Sequence, residues 1–132
     1  MDAHNRGYIP PEYPPGLERE IMRILAQCRG RENAIERSDL LRNVQYMPGL
    51  EKISDRQLRA CINTLRKAGA LICSTGGVDG GYWWPVSYDE VDEYLSREVY
   101  SRISDLNEQA QAMKKAALER WGEEITNQAR MF

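Results

Sequence analysis

The side chains best suited to recognition chemistry lie in the segment 54–68. At about 100° per residue, one side of a helix over this segment carries Arg56, Asn63 and Lys67. Arg can donate to guanine O6 and N7, Asn can pair with adenine N6 and N7, and Lys can neutralise a phosphate. Ala60 lies at the centre of this side, and its small side chain would let the helix approach the groove closely. The pattern predicts contact with double-stranded DNA in the major groove, and the alternative is an ordinary solvated helix face.

Further basic and polar residues surround this candidate interface. Arg59 and Thr64 flank it, whereas Arg66 lies nearer the apolar side and is expected to anchor the following strands or touch a phosphate. Residues 52–84 carry five basic and two acidic side chains, while residues 88–132 carry six basic and ten acidic ones, so the negative charge is concentrated elsewhere. The candidate DNA-binding residues are Arg56, Arg59, Ala60, Asn63, Thr64, Arg66, Lys67 and Lys52.

Few residues are suited to catalysis. His4 is the single histidine, and the chain contains no Cys-x-x-Cys or His-x-x-x-His pair. We therefore expect no metal, no cofactor and no enzymatic activity. The acids Asp89, Glu90, Asp92 and Glu93 open a predicted helix, where negative charge suits the positive end of the helix dipole. They are interpreted as a helix start rather than as a metal site or a catalytic carboxylate pair.

Composition limits the class of protein. The chain has 132 residues, a net charge of −2 and 42% hydrophobic residues, which fits one small domain with extensions. Cys28, Cys61 and Cys73 are odd in number and widely spaced, so they are expected to be free thiols that serve as small buried hydrophobes. No apolar run approaches the roughly 18 residues of a membrane span, and the first residues lack a signal-peptide pattern. A cytoplasmic location is expected.

Apolar periodicity and turn residues predict the elements that hold the candidate interface. A first helix runs from Leu17 to about Cys28, and a second, short helix is capped by Ser38. The third helix opens with a capping box of Ser54 and Gln57, in which each residue's side chain bonds to the backbone of the other.

Strands and one long helix complete the predicted order. A short strand at 34–35 separates the first two helices, and strands at 71–75 and 82–84 are joined by a glycine-rich turn. A segment without proline or glycine from 88 to 121 predicts one long helix, which Gly122 stops. The fold class is mainly α with a small β-hairpin (α+β), a winged helix-turn-helix followed by one long C-terminal helix. Four regions follow: a Pro/Tyr-rich extended arm (1–16), the winged domain (17–86), the long helix (87–122) and a polar tail (123–132).

The third helix and the hairpin also carry residues in a family-like order. These residues are Ser54, Leu58, Ile62, Leu65-Arg66, Gly69, Ile72, Ser74 and Gly81-Tyr82. They resemble the N-terminal DNA-binding domain of biotin repressors and related winged-helix regulators, in which a capped recognition helix ends in Leu-Arg-x-x-Gly. The resemblance covers roughly residues 17–86 with the preceding helices. It implies that the third helix is the recognition helix.

This resemblance has two departures. The segment 45–53 is longer than a tight helix-turn-helix turn, and no biotin-ligase domain follows, so enzymatic activity is not implied. The whole chain, including Trp83-Trp84 and the long C-terminal helix, also resembles small winged-helix proteins encoded by phages and prophages.

The long helix carries an apolar seam. Its 34 residues from 88 to 121 span about 51 Å, whereas a domain of about 70 residues has a radius of gyration of about 11 Å, so the helix must overhang. Apolar residues at alternating spacings of three and four predict pairing with a second copy, and the alternative is a helix that folds back on the first helix and arm. The candidate dimerisation residues are Val99, Ile103, Leu106, Ala110, Met113, Ala117 and Trp121.

These patterns predict a non-enzymatic, sequence-specific DNA-binding protein that works as a homodimer. Regulation of transcription or a phage or prophage replication role would use such a protein. The alternative is a winged-helix adaptor that binds proteins and not DNA, because the net charge is negative and the hairpin tip carries Asp79 without Lys or Arg. The direction of helix pairing and the role of the arm stay open.

Overall fold

The computed structural model describes residues 12–76 and 80–130, with side chains up to residue 123 in the last helix. The expectations for residues 1–11 and for the hairpin tip at 77–79 lie outside these described residues. The chain divides into two compact units, the first up to Tyr94 and the second from Leu95 onward.

Three helices enclose the core of the first unit. α1 spans Leu17–Leu25, α2 spans Arg37–Gln45 and α3 spans Asp55–Lys67, and α1 packs against both of the others. Each helix buries the apolar stripe that its sequence predicts, because burying this stripe removes apolar surface from water. The main core residues are Leu17, Ile21, Ile24, Leu25, Leu40, Val44, Leu58, Cys61 and Ile62.

A small sheet covers one side of this core. β1 (Ile35–Glu36), β2 (Cys73–Ser74) and β3 (Gly81–Trp83) are antiparallel, in the order β1-β3-β2. Opposite Glu36 in this register, β3 begins with a glycine whose added Cβ would lie 3.1 Å from the carbonyl oxygen of Ile35. The glycine therefore permits the close approach of β1 and β3.

The strand pairing continues past β3 to the residues that follow α1. The backbone N–H of Trp84 donates to the carbonyl of Cys28 at 2.8 Å, and the N–H of Gly30 donates to the carbonyl of Trp84 at 2.8 Å. A single 3-10 turn, Arg31–Asn33, then leads into β1. The predicted mainly α fold with a small hairpin is confirmed, with β1 as a third strand of the sheet.

Two helix boundaries in the first unit differ from the prediction. α1 ends at Leu25 and not near Cys28, because the next residues make shorter-range bonds of the 3-10 type, such as that from the N–H of Cys28 to the carbonyl of Leu25 at 2.9 Å. Ser38 does not cap α2. The N-cap is Glu36, without a side-chain bond, and the N–H of Arg37 donates instead to the carbonyl of Gly80 at 3.1 Å.

The predicted single C-terminal helix is divided. α4 spans Tyr88–Tyr94 in the first unit, and in the second unit a π-helical segment, Leu95–Tyr100, precedes α5, Ser101–Arg130. Gly122 does not stop the helix, and the predicted polar tail is helical up to Arg130. A glycine ends a helix by adopting positive φ, and the positive-φ glycines of the described residues do not include Gly122. Trp121 marks a local break instead, with φ −127° and ψ 20°.

Candidate nucleic-acid interface

The start of α3 is fixed by its own sequence. The Ser54 hydroxyl accepts from the N–H of Gln57 at 3.2 Å, and the N–H of Ser54 donates to the Gln57 side-chain oxygen at 2.9 Å. The predicted capping box is therefore confirmed. It fixes the first turn of the helix that carries the candidate interface.

The side of α3 opposite the core is exposed. Arg56, Ala60, Asn63 and Lys67 are all exposed, while Leu58, Cys61 and Ile62 are buried. Within the described part of the chain, the head groups of Arg56, Asn63 and Lys67 make no hydrogen bond or ion pair. These three polar groups are therefore available to an external partner.

Arg59 belongs to an ion-pair cluster at one flank of this exposed side. Its Nε lies 3.0 Å from Asp55 Oδ2, and the Nε of Arg37 lies 3.1 Å from Asp55 Oδ1. The pair within α3 has the i, i+4 spacing that the sequence could have predicted. Arg37 was missed, because only the tertiary fold brings the start of α2 to this position.

Arg66 connects α3 to the hairpin. Its Nε donates to the carbonyl of Ile72 at 2.8 Å, and its Nη2 donates to the hydroxyl of Ser74 at 2.8 Å. The guanidinium also lies 5.9 Å from the ring centre of Tyr82 and 5.2 Å from that of Tyr94. The expected role as an anchor of the strands is confirmed, and so many contacts leave Arg66 little freedom to read a base.

The last part of the N-terminal arm lies along the other flank of α3. Gln57 Nε2 donates to the carbonyl of Glu12 at 3.0 Å, and the Tyr13 hydroxyl donates to Glu18 at 2.6 Å. Burial and this bond raise the pKa of Tyr13, whose hydroxyl also interacts with Thr64 and Cys61. The Thr64 hydroxyl donates to a carbonyl of its own helix. This predicted site residue therefore already has a hydrogen-bond partner within α3.

The long connection between α2 and α3 also has a structural basis. Leu50 and Ile53 are buried in the core, and Gln45 Nε2 donates to the carbonyl of Ile53 at 2.8 Å. Two inward side chains therefore account for the extra residues relative to a tight turn. Lys52 lies between them and is exposed, just before the N-cap of α3.

The cysteines are not activated. Burial raises the pKa of Cys61 to about 12 and that of Cys73 to about 11, so both remain thiols at neutral pH. Both are buried as predicted, whereas Cys28 is only half-buried. Among the residues that the structure describes, no three or more His, Cys, Asp or Glu side chains are grouped so that they could hold a metal ion. No helix in this part of the chain is long and apolar enough to span a membrane.

The hairpin aromatics are packed inward. Tyr82 is 8% exposed and Trp83 is 4% exposed, so their rings are not available to stack on a nucleic acid. Trp84 is half-buried against the core.

The acids at the start of α4 stabilise the fold. The N–H of Glu90 donates to the Ser87 hydroxyl at 3.3 Å, which is one of the two bonds of a capping box. The Glu90 carboxylate does not complete the box. It accepts from the N–H groups of Val86 and Arg31, and Arg31 also lies 3.7 Å from Glu93.

The predicted seam on α5 is largely exposed in the single chain. Ile103, Leu106, Met113 and Trp121 are between 49% and 73% exposed. Ala110 is exposed and Ala117 is half-buried, so both remain on the helix as small residues between the larger ones. Val99 does not continue the seam with α-helical spacing, because it lies in the π-helical segment. Leu118, which the prediction omitted, is also exposed.

Comparison of the chain with protein families, with curated proteins and with solved structures finds no match in any of the three. Its function is therefore inferred from its own residues.

Proposed function

We propose that this chain is a non-enzymatic protein that binds double-stranded DNA by inserting α3 into the major groove. The observation that carries the proposal is the exposed side of α3, where Arg56, Asn63 and Lys67 make no hydrogen bond or ion pair within the described residues. A helix fits the major groove, and the three side-chain types match guanine, adenine and phosphate.

The shape of this side favours close approach. Ala60 lies between the three polar residues and is itself exposed, so no bulky side chain holds the helix axis away from the bases. The opposite side is fixed in the core by Leu58 and Ile62. A helix that is held rigidly by its scaffold presents its polar groups in one geometry, which is what discrimination between bases requires.

The second part of the proposal is that two copies of this chain form a homodimer. The exposed apolar residues of α5 would each be stabilised by burial, at roughly 25 cal/mol per Å² of apolar surface. Pairing with a second copy would join two α3 helices in one assembly, so the DNA site would consist of two symmetric halves. Regulation of transcription is the proposed use, and replication of phage or prophage DNA is a close variant.

Binding to random-sequence duplex DNA over a range of salt concentrations tests the proposal. Each phosphate contact adds about 0.9 to the slope of log affinity against log salt, so the affinity of a DNA-binding protein falls steeply. A combined Arg56→Ala, Asn63→Ala and Lys67→Ala variant should lose most of this binding while it remains folded.

A second variant provides the charge control. Lys114→Ala with Lys115→Ala removes two positive charges, as many as the triple variant loses, but from α5. This control variant should bind DNA as the wild type does. A wild-type protein that does not bind duplex DNA even at low salt would overturn the proposal. That result would favour the adaptor alternative, in which the exposed side of α3 contacts a protein.

A further inference from the structure

Three charged side chains meet at one edge of the exposed side of α3. The Asp55 carboxylate contacts two guanidiniums, Arg37 through Oδ1 at 3.1 Å and Arg59 through Oδ2 at 3.0 Å. All three side chains are partly exposed, between 36% and 56%. We call these residues the Arg37–Asp55–Arg59 cluster.

The fold fixes the cluster beside the proposed base-reading residues. Asp55 is the first residue of α3 and directly precedes Arg56, while Arg59 lies one turn further along the same helix. Arg37 is the first residue of α2, and its backbone N–H is bonded to the carbonyl of Gly80 at 3.1 Å. The position of Arg37 is therefore set by the backbone, and its side chain reaches α3 from a separate element.

The charge balance of the cluster points to an anion. Asp55 and Arg59 alone would be neutral and would exert no net attraction on a DNA backbone. Arg37 adds one positive charge, so the cluster carries a net +1 at the solvent boundary. Each guanidinium has five N–H donors in a planar fork, and its closest contact to Asp55 uses only Nε, which leaves donors for the oxygens of a phosphate.

We infer that Arg37 and Arg59, positioned by Asp55 between them, bind one phosphate of the DNA backbone at the edge of α3. Arg37 is the residue that makes this contact favourable, and Asp55 is a positioning residue that keeps both guanidiniums in one arrangement. This inference rests on the proposed DNA binding.

Arg37→Ala and its matched control Arg42→Ala test the role of Arg37. Arg42 lies on the same helix, is exposed, and also pairs with an aspartate, Asp39, at 3.0 Å. Each variant removes one positive charge and one ion pair. Arg37→Ala should lower the slope of log affinity against log salt by about 0.9, the value of one phosphate contact, whereas Arg42→Ala should keep the wild-type slope. Arg37→Lys should retain most of the slope, because it keeps the charge.

Asp55→Asn, with Asp39→Asn as its control, tests positioning. Removing the Asp55 charge should raise the affinity for random-sequence DNA. It should lower the specificity ratio, which is the affinity for a site selected from a random DNA pool divided by the affinity for random-sequence DNA. The ratio should not change in Asp39→Asn. Thermal melting confirms that each variant is folded.

The outcomes separate this inference from the proposed function. If the wild type binds DNA but Arg37→Ala and Arg42→Ala share its salt slope, the phosphate contact is wrong while DNA binding stands. An unchanged ratio in Asp55→Asn would overturn the positioning role. A wild type that does not bind DNA overturns the proposed function and this inference together.

Discussion

Glu90 accepts a hydrogen bond from the backbone N–H of Arg31 at 3.0 Å, although 59 residues separate them in the chain. The second carboxylate oxygen accepts from the N–H of Val86 at 2.7 Å. One side chain therefore satisfies backbone donors of two segments, the 3-10 turn before β1 and the residues that lead into α4. Its removal would leave two N–H groups without these partners.

Glu90→Ala should lower the free energy of unfolding by about 1–3 kcal/mol, because two charge-assisted bonds are lost at a partly exposed site. Asp89→Ala is the control. It removes an acid from the same first turn of α4, and the Asp89 carboxylate has no hydrogen-bond or ion-pair partner among the described residues. Denaturant unfolding measures both. Equal losses would mean that Glu90 acts only through the helix dipole.

The core side and the exposed side of α3 should respond differently to truncation. Ile62 is 1% exposed, so Ile62→Ala should cost about 2–5 kcal/mol of stability through lost burial and a cavity. Asn63→Ala, one residue further, should leave the free energy of unfolding nearly unchanged. Similar melting temperatures for the two variants would contradict the orientation of α3.

Glu20 should make part of the stability pH-dependent. The bonds from Arg23 hold the pKa of this buried carboxyl below its usual value, although burial opposes them. Folding therefore favours the ionised form, so the contribution is complete above the unfolded-state pKa of about 4.3 and is lost as pH falls through the lower folded-state pKa.

The variant Glu20→Gln should consequently melt below the wild type at neutral pH, and the difference should shrink as the pH falls below about 4. Glu32→Gln, at an exposed glutamate, should show no such trend. A constant difference between wild type and Glu20→Gln from neutral to acid pH would argue against the ion pair as its cause.

Single substitutions on α3 should separate base contacts from phosphate contacts. Arg56→Ala should cost about 1–3 kcal/mol of binding to a selected site and relax its specificity, if it donates to one guanine. Lys67→Ala should weaken binding to all sequences alike. Arg19→Ala, at an exposed basic residue of α1, is the control. An Arg56→Ala variant that retains the wild-type preference among sequences would remove Arg56 from the base-reading set.

Assembly should depend on α5. Leu106→Glu with Met113→Glu would place charges in the paired seam, so sedimentation should show a mass near the monomer's 15.2 kDa, against about twice that for the wild type. Ser104→Glu with Gln111→Glu adds two acids at the same spacing but outside the seam, and should stay dimeric. A wild type that is monomeric at tens of micromolar would rule out the dimer.

Local sequence determined α3 well enough for prediction. The capping box at Ser54 and the stripe of Leu58 and Ile62 act within one helix, so both its start and its buried side followed from neighbouring residues. The exposed side of α3 was therefore also predictable, because it is the side of the helix opposite the apolar stripe.

Other features depend on contacts that sequence spacing does not contain. Arg37 meets Asp55 only after α2 and α3 pack, and Glu90 meets Arg31 only after α4 is placed. The π-helical segment at Leu95–Tyr100 has no proline or glycine to mark it, so periodicity predicted an uninterrupted α-helix. Gly122 was expected to stop that helix, yet glycine stops a helix only where the chain turns into positive φ.

The sheet order has a consequence for synthesis of the chain. β3 is the last strand made, and it is the central strand to which both β1 and β2 bond. β1 therefore has no strand to pair with until Tyr82, the residue opposite Ile35, has been synthesised. In the same way, Cys73 of β2 can pair only after Trp83 has been synthesised. On the ribosome, α1, α2 and α3 leave the exit tunnel before this sheet can close. A chain that ends before Gly81 would keep all the residues of the proposed base-reading side of α3, but it would lack the strand that completes the domain.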